Sequence, residues 1–335
     1  MRSLSARTTS VLVLGANGRL GSAVAHAFAS AGWTVLAQVR RNPSPLLPAG
    51  AHVLRIDLSD SGALAGAAAG VSAVVHAVNP PYPLWRTEAL PALRAGLDVA
   101  TSLKARFMLP GNVYNFGNSM PAVLREQTRA SPSTQKGQIR VDMEALIAQH
   151  ALASGLPADV IRAGDFFGFG SGSWLDQVIV KSLRSGALVY PGPMDVAHAW
   201  AYLPDLARAF VRVATKSPPT AGLSVWNFPG YTLTGNALLE AIENAAGELG
   251  LQPLRPYHRR EFPWRLIRFG GLVVPLWRAL AEMDYLWRVP HGLEGSRLAA
   301  LDDEQHAATP LALALKTALQ SLGFGALPPA TAKSS

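Results

Sequence analysis

The stretch Val11-Leu12-Val13-Leu14-Gly15-Ala16-Asn17-Gly18-Arg19-Leu20-Gly21 decides the fold of this 335-residue chain. Its four leading apolar residues predict a buried parallel strand, and apolar positions at helical spacing over 19–31 predict a helix after it. Three glycines with the spacing GxxGxxG lie between and within these elements. A strand that turns through such glycines directly into a helix is typical of the first unit of a parallel α/β sheet.

The glycines of this motif have separate roles. The first permits a tight turn, the second lets the backbone approach a pyrophosphate, and the third lets strand and helix pack closely. The N-terminus of the helix then offers free N–H groups and a positive dipole end to phosphates. We therefore predict a dinucleotide-binding loop, and an ordinary glycine-rich turn is the alternative. The residues expected to hold the cofactor are Gly15, Asn17, Gly18, Arg19, Leu20 and Gly21.

The end of the second predicted strand, 34–39, indicates which dinucleotide binds. NAD usually requires an acidic residue about 20 residues after the motif, to hold the ribose 2′-hydroxyl, but the first acid in the chain is Asp57. The strand is followed instead by Arg40 and Arg41, and arginine binds a 2′-phosphate through charge-assisted hydrogen bonds. We predict NADP(H), with NAD as the alternative. Both arginines would otherwise lie in a solvated loop, with Arg19 contacting the phosphate instead.

The composition excludes several classes of protein. The chain contains no cysteine, and only 16% of its residues are charged. The missing cysteine excludes disulfides, cysteine-ligated zinc, iron–sulfur clusters and thiol catalysis, and it is typical of a reducing compartment. The first ten residues are polar and predict no signal peptide. The longest uncharged stretch, 61–85, is broken by glycines and prolines, so we predict no transmembrane segment and expect a cytoplasmic protein.

Positive charge is concentrated around the glycine motif. The net charge is +8, and residues 1–56 hold six arginines and no acid. A basic excess can indicate nucleic acid, a membrane or an anionic small ligand. No zinc-finger or aromatic RNA-binding signature accompanies it. We therefore predict an anionic cofactor and a small-molecule substrate, with no nucleic-acid partner and no metal, in a monomer or homodimer.

Strand and helix patterns alternate along the first half of the chain. The predicted strands are 11–14, 34–39, 52–56, 73–78, 106–109 and 159–162, and the predicted helices are 19–31, 61–69, 84–103 and 138–153. This alternation predicts an α/β fold: a Rossmann-like doubly wound parallel sheet with a smaller, mostly helical C-terminal substrate lobe. We assign 8–165 to the Rossmann domain, with 196–230 returning to it, and 166–195 and 231–326 to the substrate lobe. Residues 327–335 are predicted to be a frayed tail.

Six motifs follow one another in the first two-thirds of the chain. They are GANGRLG at 15–21, RIDLSD at 55–60, VVHAVNPPY at 74–82, PGNVYNFG at 110–117, RAGDFFGFG at 162–170 and AYLPDLARAF at 201–210. The ordered set resembles the short-chain dehydrogenase/reductase superfamily, and most closely its extended and atypical NAD-dependent epimerase/dehydratase branch. The resemblance implies that Asp57 accepts a hydrogen bond from the adenine amino group, with Leu58 beside the ring. It also places His76, Ala77 and Val78 under the cofactor, and the alternative for His76 is a packed core histidine.

The chain departs from this family at the catalytic residues. The family uses a Ser or Thr, a Tyr, and a Lys four residues after the Tyr for general acid–base catalysis, and this chain has no YxxxK. Pairing the flanking residues with the family's pattern places Asn112, Lys136 and Arg140 at these three positions. Tyr114 is a further phenol near them.

Each replacement keeps part of the family's chemistry. Asn112 can donate to a substrate oxygen, and Arg140 can hold a ribose as a permanent cation. Lys136, which would also contact the cofactor, can donate a proton if burial beside Arg140 depresses its pKa. The alternative is that Lys136 is a solvated residue at the start of a helix and that the site is catalytically silent.

The second half of the chain carries weaker signals. The resemblance implies substrate contacts from Asp165, Phe166, Phe167 and Trp174. For Asp165, the alternative is a loop cap that binds backbone N–H groups. The segment 255–268 holds five arginines and three aromatic residues. It leaves three interpretations open: a phosphate or carboxylate clamp, a peripheral membrane helix, or a partly buried helix whose arginines extend into solvent.

These observations predict an NADP(H)-binding oxidoreductase or epimerase-like enzyme that acts on a small carbonyl or alcohol substrate. Two alternatives stay open. A dinucleotide-sensing regulator without turnover is favoured by the missing Tyr/Lys pair. A nucleotide-sugar epimerase or dehydratase is favoured by fold analogy, which is a weak basis for function.

Overall fold

A computed structural model describes residues 9–251, 253, 256–301 and 308–325. The strands are β1 (Ser10–Leu14), β2 (Thr34–Gln38), β3 (His52–Leu54), β4 (Ala73–His76), β5 (Arg106–Gly111), β6 (Val123–Leu124), β7 (Pro157–Arg162), β8 (Asp165–Phe167), β9 (Ala187–Tyr190), β10 (Ala197–Tyr202), β11 (Gly222–Asn227), β12 (Tyr231–Thr234), β13 (His258–Glu261) and β14 (Gly292–Leu293). The helices are α1 (Arg19–Ser30), α2 (Ser61–Ala67), α3 (Trp85–Leu103), α4 (Gln135–Ser154), α5 (Leu203–Lys216), α6 (Gly235–Glu248), α7 (Trp264–Gly270), α8 (Pro275–Ala281), α9 (Ser296–Ala299) and α10 (Leu311–Ser321). The predicted tail, 327–335, lies outside the described residues.

Seven parallel strands form the central sheet in the order β11-β7-β5-β4-β1-β2-β3. The predicted Rossmann-like parallel sheet is confirmed. The strand order reverses between β1 and β4, so the connections that follow these two strands run in opposite directions and leave a crevice at their carboxyl ends, which is where open α/β sheets bind ligands.

Helices cover both faces of this sheet. α1 packs beside α5 on one face, and α2, α3 and α4 lie side by side on the other. β1 contributes to both layers because its side chains alternate: Val11 and Val13 face the α1 layer, whereas Leu12 and Leu14 face the α3 layer. Nearly continuous apolar character, which marked the first strand in the sequence, follows from this two-sided burial.

The segment 196–230 divides between two sheets. α5 packs on α1, and β11 forms the edge of the central sheet beside β7. β10 instead pairs with β8 and β12 in a separate three-stranded sheet. Two short parallel pairs, β9 with β13 and β6 with β14, accompany the C-terminal helices. The second lobe therefore contains several short strands besides its helices.

Besides the two apolar clusters on the faces of the central sheet, a third apolar cluster lies in the second lobe and joins β10, α6, α7 and α10. The chain after β8 forms only a short π-helical turn, Leu175–Ile179, followed by a 3-10 turn at Leu183–Ser185. Asp176 accepts hydrogen bonds from the backbone N–H groups of Gly172 and Ser173, which fixes the loop that leads into this turn. Among the described residues, no helix is long and apolar enough to cross a bilayer.

The close contact between α1 and the turn after β1 yields a stability prediction. A Cβ atom at Gly21 would lie 2.4 Å from the carbonyl oxygen of Gly15, so we expect Gly21→Ala to lower the free energy of unfolding by about 1–3 kcal/mol through overpacking. The matched control is Gly66→Ala in α2, where an added Cβ would meet nothing within 4 Å. This substitution should raise the free energy of unfolding by about 0.5–1 kcal/mol, because alanine loses less backbone entropy than glycine in a helix. Urea unfolding followed by tryptophan fluorescence measures both. Equal effects of the two substitutions would contradict the prediction.

Candidate active site

The glycine motif forms a turn that has no space for side chains. Gly15 has a φ of +74°, and a Cβ on it would lie 3.0 Å from Val78. The N–H of Gly18 donates to the carbonyl of Gly15 at 3.0 Å, and the Ser22 hydroxyl donates to the carbonyl of Ala16 at 2.8 Å. These contacts bring the backbone of the turn against the N-terminus of α1, the arrangement that a pyrophosphate requires.

Gln38 connects this turn to the neighbouring strands, a role that sequence reasoning missed. Its side-chain oxygen accepts from the N–H of Gly15 at 3.0 Å, and its side-chain nitrogen donates to the carbonyl of Ile56 at 2.7 Å. Gln38 is buried at the end of β2. A buried polar residue at the end of a strand, just before the expected cofactor arginines, was the available signal.

The residues expected at the adenosine end lie near one another but outside the main cleft. Arg40 and Arg41 are exposed directly after β2. Asp57 accepts from the backbone N–H and the hydroxyl of Ser59, and these hydrogen bonds, with a smaller contribution from Arg40, lower the pKa of its carboxyl. Leu58 packs against the core on the α3 side of the sheet. The edge of the sheet at β2 and β3 is therefore polar and basic.

Asn17 and Arg19 bind protein groups in this structure. The Asn17 side chain donates to the carbonyl of Asn42 at 2.9 Å and accepts from the N–H of Ser44 at 2.8 Å. The Arg19 guanidinium donates to the carbonyl of Gly168 at 3.0 Å, and burial lowers its pKa. Arg19 therefore fastens the loop after β8 to the start of α1.

A cleft of about 700 Å³ opens at the carboxyl ends of β4, β5 and β7. It includes most of the residues predicted for the nicotinamide and substrate: Arg19, Leu20, His76, Ala77, Val78, Asn112, Tyr114, Arg140, Asp165, Phe166 and Trp174. Lys136 and Phe167 are not among its lining residues. The sheet thus brings together residues that are up to 155 positions apart in the chain.

Lys136 is buried against an acid instead of facing the cleft. Its ammonium group forms an ion pair with Glu282, and its backbone N–H donates to the same carboxylate at 3.0 Å. The ammonium also lies 5.5 Å from the centre of the Tyr82 ring. The alternative of a solvated residue at the helix start is therefore wrong. The partner, Glu282, lies 146 residues away in sequence, so nothing local could have indicated it.

Two tyrosines and an arginine form the inner wall of the cleft. The hydroxyl groups of Tyr114 and Tyr82 are hydrogen-bonded at 2.8 Å, and burial raises the pKa of both phenols. The Arg140 guanidinium lies 4.8 Å from the centre of the Trp85 ring and donates to the carbonyl of Pro110 at 3.1 Å. Its positive charge opposes part of the rise in the pKa of Tyr114. At neutral pH both phenols are therefore protonated and able to donate.

Asn112 supports this wall from the end of β5. Its side-chain oxygen accepts from the backbone N–H of Tyr114 at 3.0 Å, and the residue lines the cleft. The short turn that the hydrogen bond closes directs the chain from β5 into the segment Tyr114–Ser119. Asn112 therefore helps to set the position of Tyr114.

A carboxylate and two histidines, Asp165, His198 and His291, also line the cleft. His198 Nε2 lies 2.9 Å from an Asp165 carboxylate oxygen, and the His198 ring stacks on Trp287 with centroids 4.3 Å apart. His291 lies edge-on to His198 at 4.7 Å. Asp165 is thus paired with a histidine, which replaces the predicted alternative of a loop cap. Among the residues that the structure describes, no group of three or more His, Cys, Asp or Glu side chains could hold a metal ion.

His291 is a site residue that the sequence did not indicate. Its Nδ1 lies 2.8 Å from the carbonyl of Val289, and its buried Nε2 has no hydrogen-bond partner. Burial, with a smaller contribution from His198, lowers the pKa of His291 to about 4. It sits between two turns far from every family motif, so only the tertiary structure reveals its place. His198 was visible in the sequence only as a neighbour of the AYLPDLARAF motif.

His76 is both a core residue and a cleft residue. It is buried at the end of β4, and burial, aided by Arg140, lowers its pKa to about 4. Its Nδ1 has no hydrogen-bond partner, and a Cβ on Gly96 would lie 2.4 Å from that atom. The ring is therefore held neutral against α3, while other atoms of the residue line the cleft.

The predicted substrate residues divide between the cleft and the core. Phe166 and Trp174 line the cleft. Phe167 does not, because its ring is buried against Trp200 and Tyr202 in the third apolar cluster. The expectation of a substrate contact from Phe167 is corrected to a packing role.

Apolar side chains form the outer part of the cleft. Trp174 packs edge-on against Phe262 at 5.7 Å, and further lining residues there are Val178, Leu276, Leu280 and Leu286. Phe262 is the one member of the arginine-rich segment 255–268 among the lining residues. Arg255 lies outside the described residues, and none of the described arginines of the segment lines the cleft, so those arginines form no clamp there.

Comparison with known proteins places the chain in a family. The model of the NAD dependent epimerase/dehydratase family matches residues 11–224. No curated protein sequence matches the chain significantly.

Solved structures share the fold at low identity. MoeE5 in complex with UDP-glucuronic acid and NAD is 18% identical, with a TM-score of 0.71 over 94% of this chain and 99% of that one. UDP-glucose 4-epimerase from Thermotoga maritima, solved with UDP-glucose, is 16% identical, with a TM-score of 0.71 over 94% and 99%. L-threonine dehydrogenase from Clostridium difficile is 16% identical, with a TM-score of 0.71 over 95% and 99%. With the family model covering most of the chain and the fold agreeing with it, this protein belongs to the NAD-dependent epimerase/dehydratase family.

Proposed function

We propose that the protein is an NADP(H)-dependent oxidoreductase or epimerase-like enzyme that acts on a small carbonyl or alcohol substrate. The observation that carries the proposal is the cleft of about 700 Å³, which runs from the start of α1 to two protonated tyrosines. The dinucleotide, when bound, supplies hydride transfer at its nicotinamide ring. All other steps depend on the residues of this chain.

The residues present fit a dinucleotide. The turn at Gly15 and Gly21 leaves its backbone open, since a Cβ on either residue would meet neighbouring atoms at 3.0 Å or less. Arg140, which lines the cleft, has a buried Nε without a hydrogen-bond partner. Unpaired buried polar atoms are rare in native proteins and call for an explanation such as an absent ligand.

Arg40 and Arg41 support NADP(H) over NAD. They are exposed at the end of β2, where Val39 is buried and no acid is present to accept from a ribose 2′-hydroxyl. Guanidinium groups bind a 2′-phosphate through paired, charge-assisted hydrogen bonds. We infer that these two arginines select the phosphorylated dinucleotide.

Tyr114 is the best candidate for the proton-transfer group. It lines the cleft as a protonated phenol, and its hydroxyl is bonded to that of Tyr82 at 2.8 Å. When Tyr114 gives its proton to a carbonyl oxygen, the Arg140 guanidinium stabilises the phenolate that remains. Lys136 is a weaker candidate because its ammonium group is held by Glu282 away from the cleft lining.

The outer part of the cleft favours a substrate without phosphate. Among the described lining residues the arginines and lysines are Arg19 and Arg140 alone. Arg19 is bonded to backbone carbonyls, and Arg140 lies at the inner end over Trp85. A nucleotide sugar would bring a second diphosphate with no cation to bind it, whereas Trp174, Leu276 and Leu280 suit an apolar group. We therefore place a small apolar carbonyl or alcohol ahead of a nucleotide sugar.

A dinucleotide-binding regulator is the second candidate. The family resemblance implies that Lys136 replaces the usual tyrosine proton donor, and its ammonium group is paired with Glu282. A regulator would bind NADPH tightly and turn over no carbonyl. Stopped-flow absorbance of bound NADPH with a panel of apolar aldehydes and ketones distinguishes the two, because oxidation of NADPH with none of them would favour the regulator.

Replacing Tyr114 tests its role in proton transfer. We expect Tyr114→Phe to lower kcat by about 10²–10⁴-fold, because the phenol supplies the proton, and to leave the Kd for NADPH within about twofold. The control is Tyr82→Phe, which keeps the Tyr114 hydroxyl and should lower kcat far less. If Tyr114→Phe turns over substrate at the rate of the unchanged protein, Tyr114 is not the proton donor. Steady-state assays at 340 nm, on the substrate found in the panel, measure both variants.

Replacing the two exposed arginines tests cofactor choice. We expect Arg40→Ala with Arg41→Ala to weaken NADPH binding by more than about tenfold and to leave NADH binding nearly unchanged, because the 2′-phosphate loses its charge-assisted partners. Arg94→Ala, an exposed arginine of α3 on the other face of the sheet, is the control. Fluorescence titration measures both dinucleotides. Equal losses for NADPH and NADH would argue against recognition of the 2′-phosphate.

The buried cleft histidines predict a pH dependence of stability. His76 and His291 keep a pKa of about 4 in the folded protein, whereas an unfolded histidine takes up a proton below about pH 6.5. Between these values the unfolded state binds more protons, so the free energy of unfolding falls as pH decreases from about 6.5 to about 4.

Removing one histidine tests this linkage. His291→Asn should make the decrease in unfolding free energy shallower by up to about 1.4 kcal/mol per pH unit within that window. His52→Asn, at an exposed position in β3, should leave the pH profile unchanged. Urea unfolding at a series of pH values provides the measurement. Parallel profiles for His291→Asn and the unchanged protein would contradict the prediction.

A further inference from the structure

The hairpin formed by α7 and α8 exposes large apolar side chains at its tip. Six of the twelve exposed large hydrophobic side chains among the described residues fall within 266–276. They are Leu266, Phe269, Leu272, Val273, Val274 and Leu276, with Val273 82% and Phe269 74% exposed. Apolar side chains clustered at this density on a surface mark an interaction site.

The fold holds this tip in place. A Cβ on Gly270 would lie 2.2 Å from the Trp277 ring, so the two helices pack closely at their junction. Arg278 donates to the carbonyls of Gly271 at 2.9 Å and Leu272 at 3.0 Å, which satisfies the end of α7. Trp264 is buried in the third apolar cluster and anchors the hairpin to the second lobe. These contacts therefore hold the hairpin in a conformation in which the apolar side chains of its tip are exposed.

The segment that carries the apolar tip has a net positive charge. Residues 256–288 contain six arginines and three acids, a net charge of +3. Glu282 pairs with the buried Lys136, Asp284 pairs with Arg268 and Arg288, and Arg259 pairs with Glu243. Arg265 is exposed on α7, one residue before Leu266. Apolar side chains beside arginines fit the interface of a bilayer that contains anionic lipids.

A second copy of the chain fits this surface less well. A two-fold contact places the same patch on both partners, so the arginines around one tip would face those around the other. Like charges at a contact repel each other. An anionic lipid surface instead supplies the opposite charge and accepts the convex tip without a complementary groove.

The tip is continuous with the mouth of the cleft. Leu276 is half exposed and also lines the cleft, together with Leu280 of the same helix and Phe262 just before α7. A surface that rests on the tip would therefore lie next to the apolar entrance.

We propose that the hairpin 264–281 docks this protein on the surface of an anionic lipid bilayer, with the apolar mouth of the cleft facing the acyl chains. Each helix of the hairpin has only seven residues, so the hairpin lies in the interface and does not cross the bilayer. Docking depends on the hairpin alone and stands whether or not the cleft turns over a substrate.

Flotation of the full chain with lipid vesicles tests the proposal. We expect binding to vesicles of phosphatidylcholine with phosphatidylserine, weaker binding to phosphatidylcholine alone, and a decrease with added salt. The triple variant Phe269→Ser, Leu272→Ser, Val273→Ser should reduce the vesicle partition coefficient by at least about tenfold, because it removes most of the apolar area that enters the interface. Arg265→Gln should weaken binding to the anionic vesicles only.

The matched control is Leu152→Ser, which removes an equally exposed leucine from α4 (82% exposed) and should bind vesicles like the unchanged chain. Val273→Asp provides a single-site variant, and circular dichroism verifies that every variant is folded. The proposal is overturned if the unchanged chain floats with neither vesicle, or if the triple variant floats equally well. It is also overturned if the chain is a dimer that the triple variant dissociates while no vesicle binds, since a second copy would then cover the tip.

Discussion

The close approach of α1 to the turn after β1 is the contact on which the site depends. Because Gly21 has no side chain, the helix can begin within contact distance of the Gly15 carbonyl, and its N-terminus faces the crevice between β1 and β4. Gln38 then joins that turn to β2 and to the end of β3. The position of the cleft relative to the sheet is thus fixed by backbone packing, without any charged group.

The Lys136–Glu282 ion pair lies at the position where the sequence resemblance places the family's catalytic tyrosine. A lysine at the start of α4 brings a cation into a buried place, and burying a charge is costly unless it is paired. The chain meets this requirement with Glu282, the residue directly after α8. The pairing ties the second lobe to α4. In the proposed function, proton transfer therefore falls to Tyr114, which follows β5 and whose hydroxyl is bonded to that of Tyr82.

Local sequence was sufficient for six of the seven strands of the central sheet, all but β11, and for the residues at the carboxyl ends of those strands. The glycine turn, His76 to Val78 and Asn112 lie directly after parallel strands, and parallel strands share one carboxyl edge. The sequence could not show which side of the short strand β8 faces the core, so Phe167 was placed in the site although it packs against Trp200. Nor could it show that His291 lines the cleft or that Glu282 pairs with Lys136, because only long-range packing of the second lobe brings these residues into place.

The cleft is lined by polar groups at its inner end and mainly by apolar side chains farther out. Near the sheet, the inner end holds the tyrosine pair, Arg140 and the Asp165–His198 pair. The two phenols are hydrogen-bonded to each other, Arg140 donates to the Pro110 carbonyl, and His198 pairs with Asp165. Farther out, Trp174, Leu276 and Leu280 offer apolar contacts, and α8 begins at the exposed tip. A substrate with one polar end and an apolar body matches this gradient, since each part is desolvated only where equivalent contacts replace water. The same helix that completes the apolar wall also forms the basic, apolar surface, so access to the cleft and attachment to a lipid surface would depend on one element of the fold.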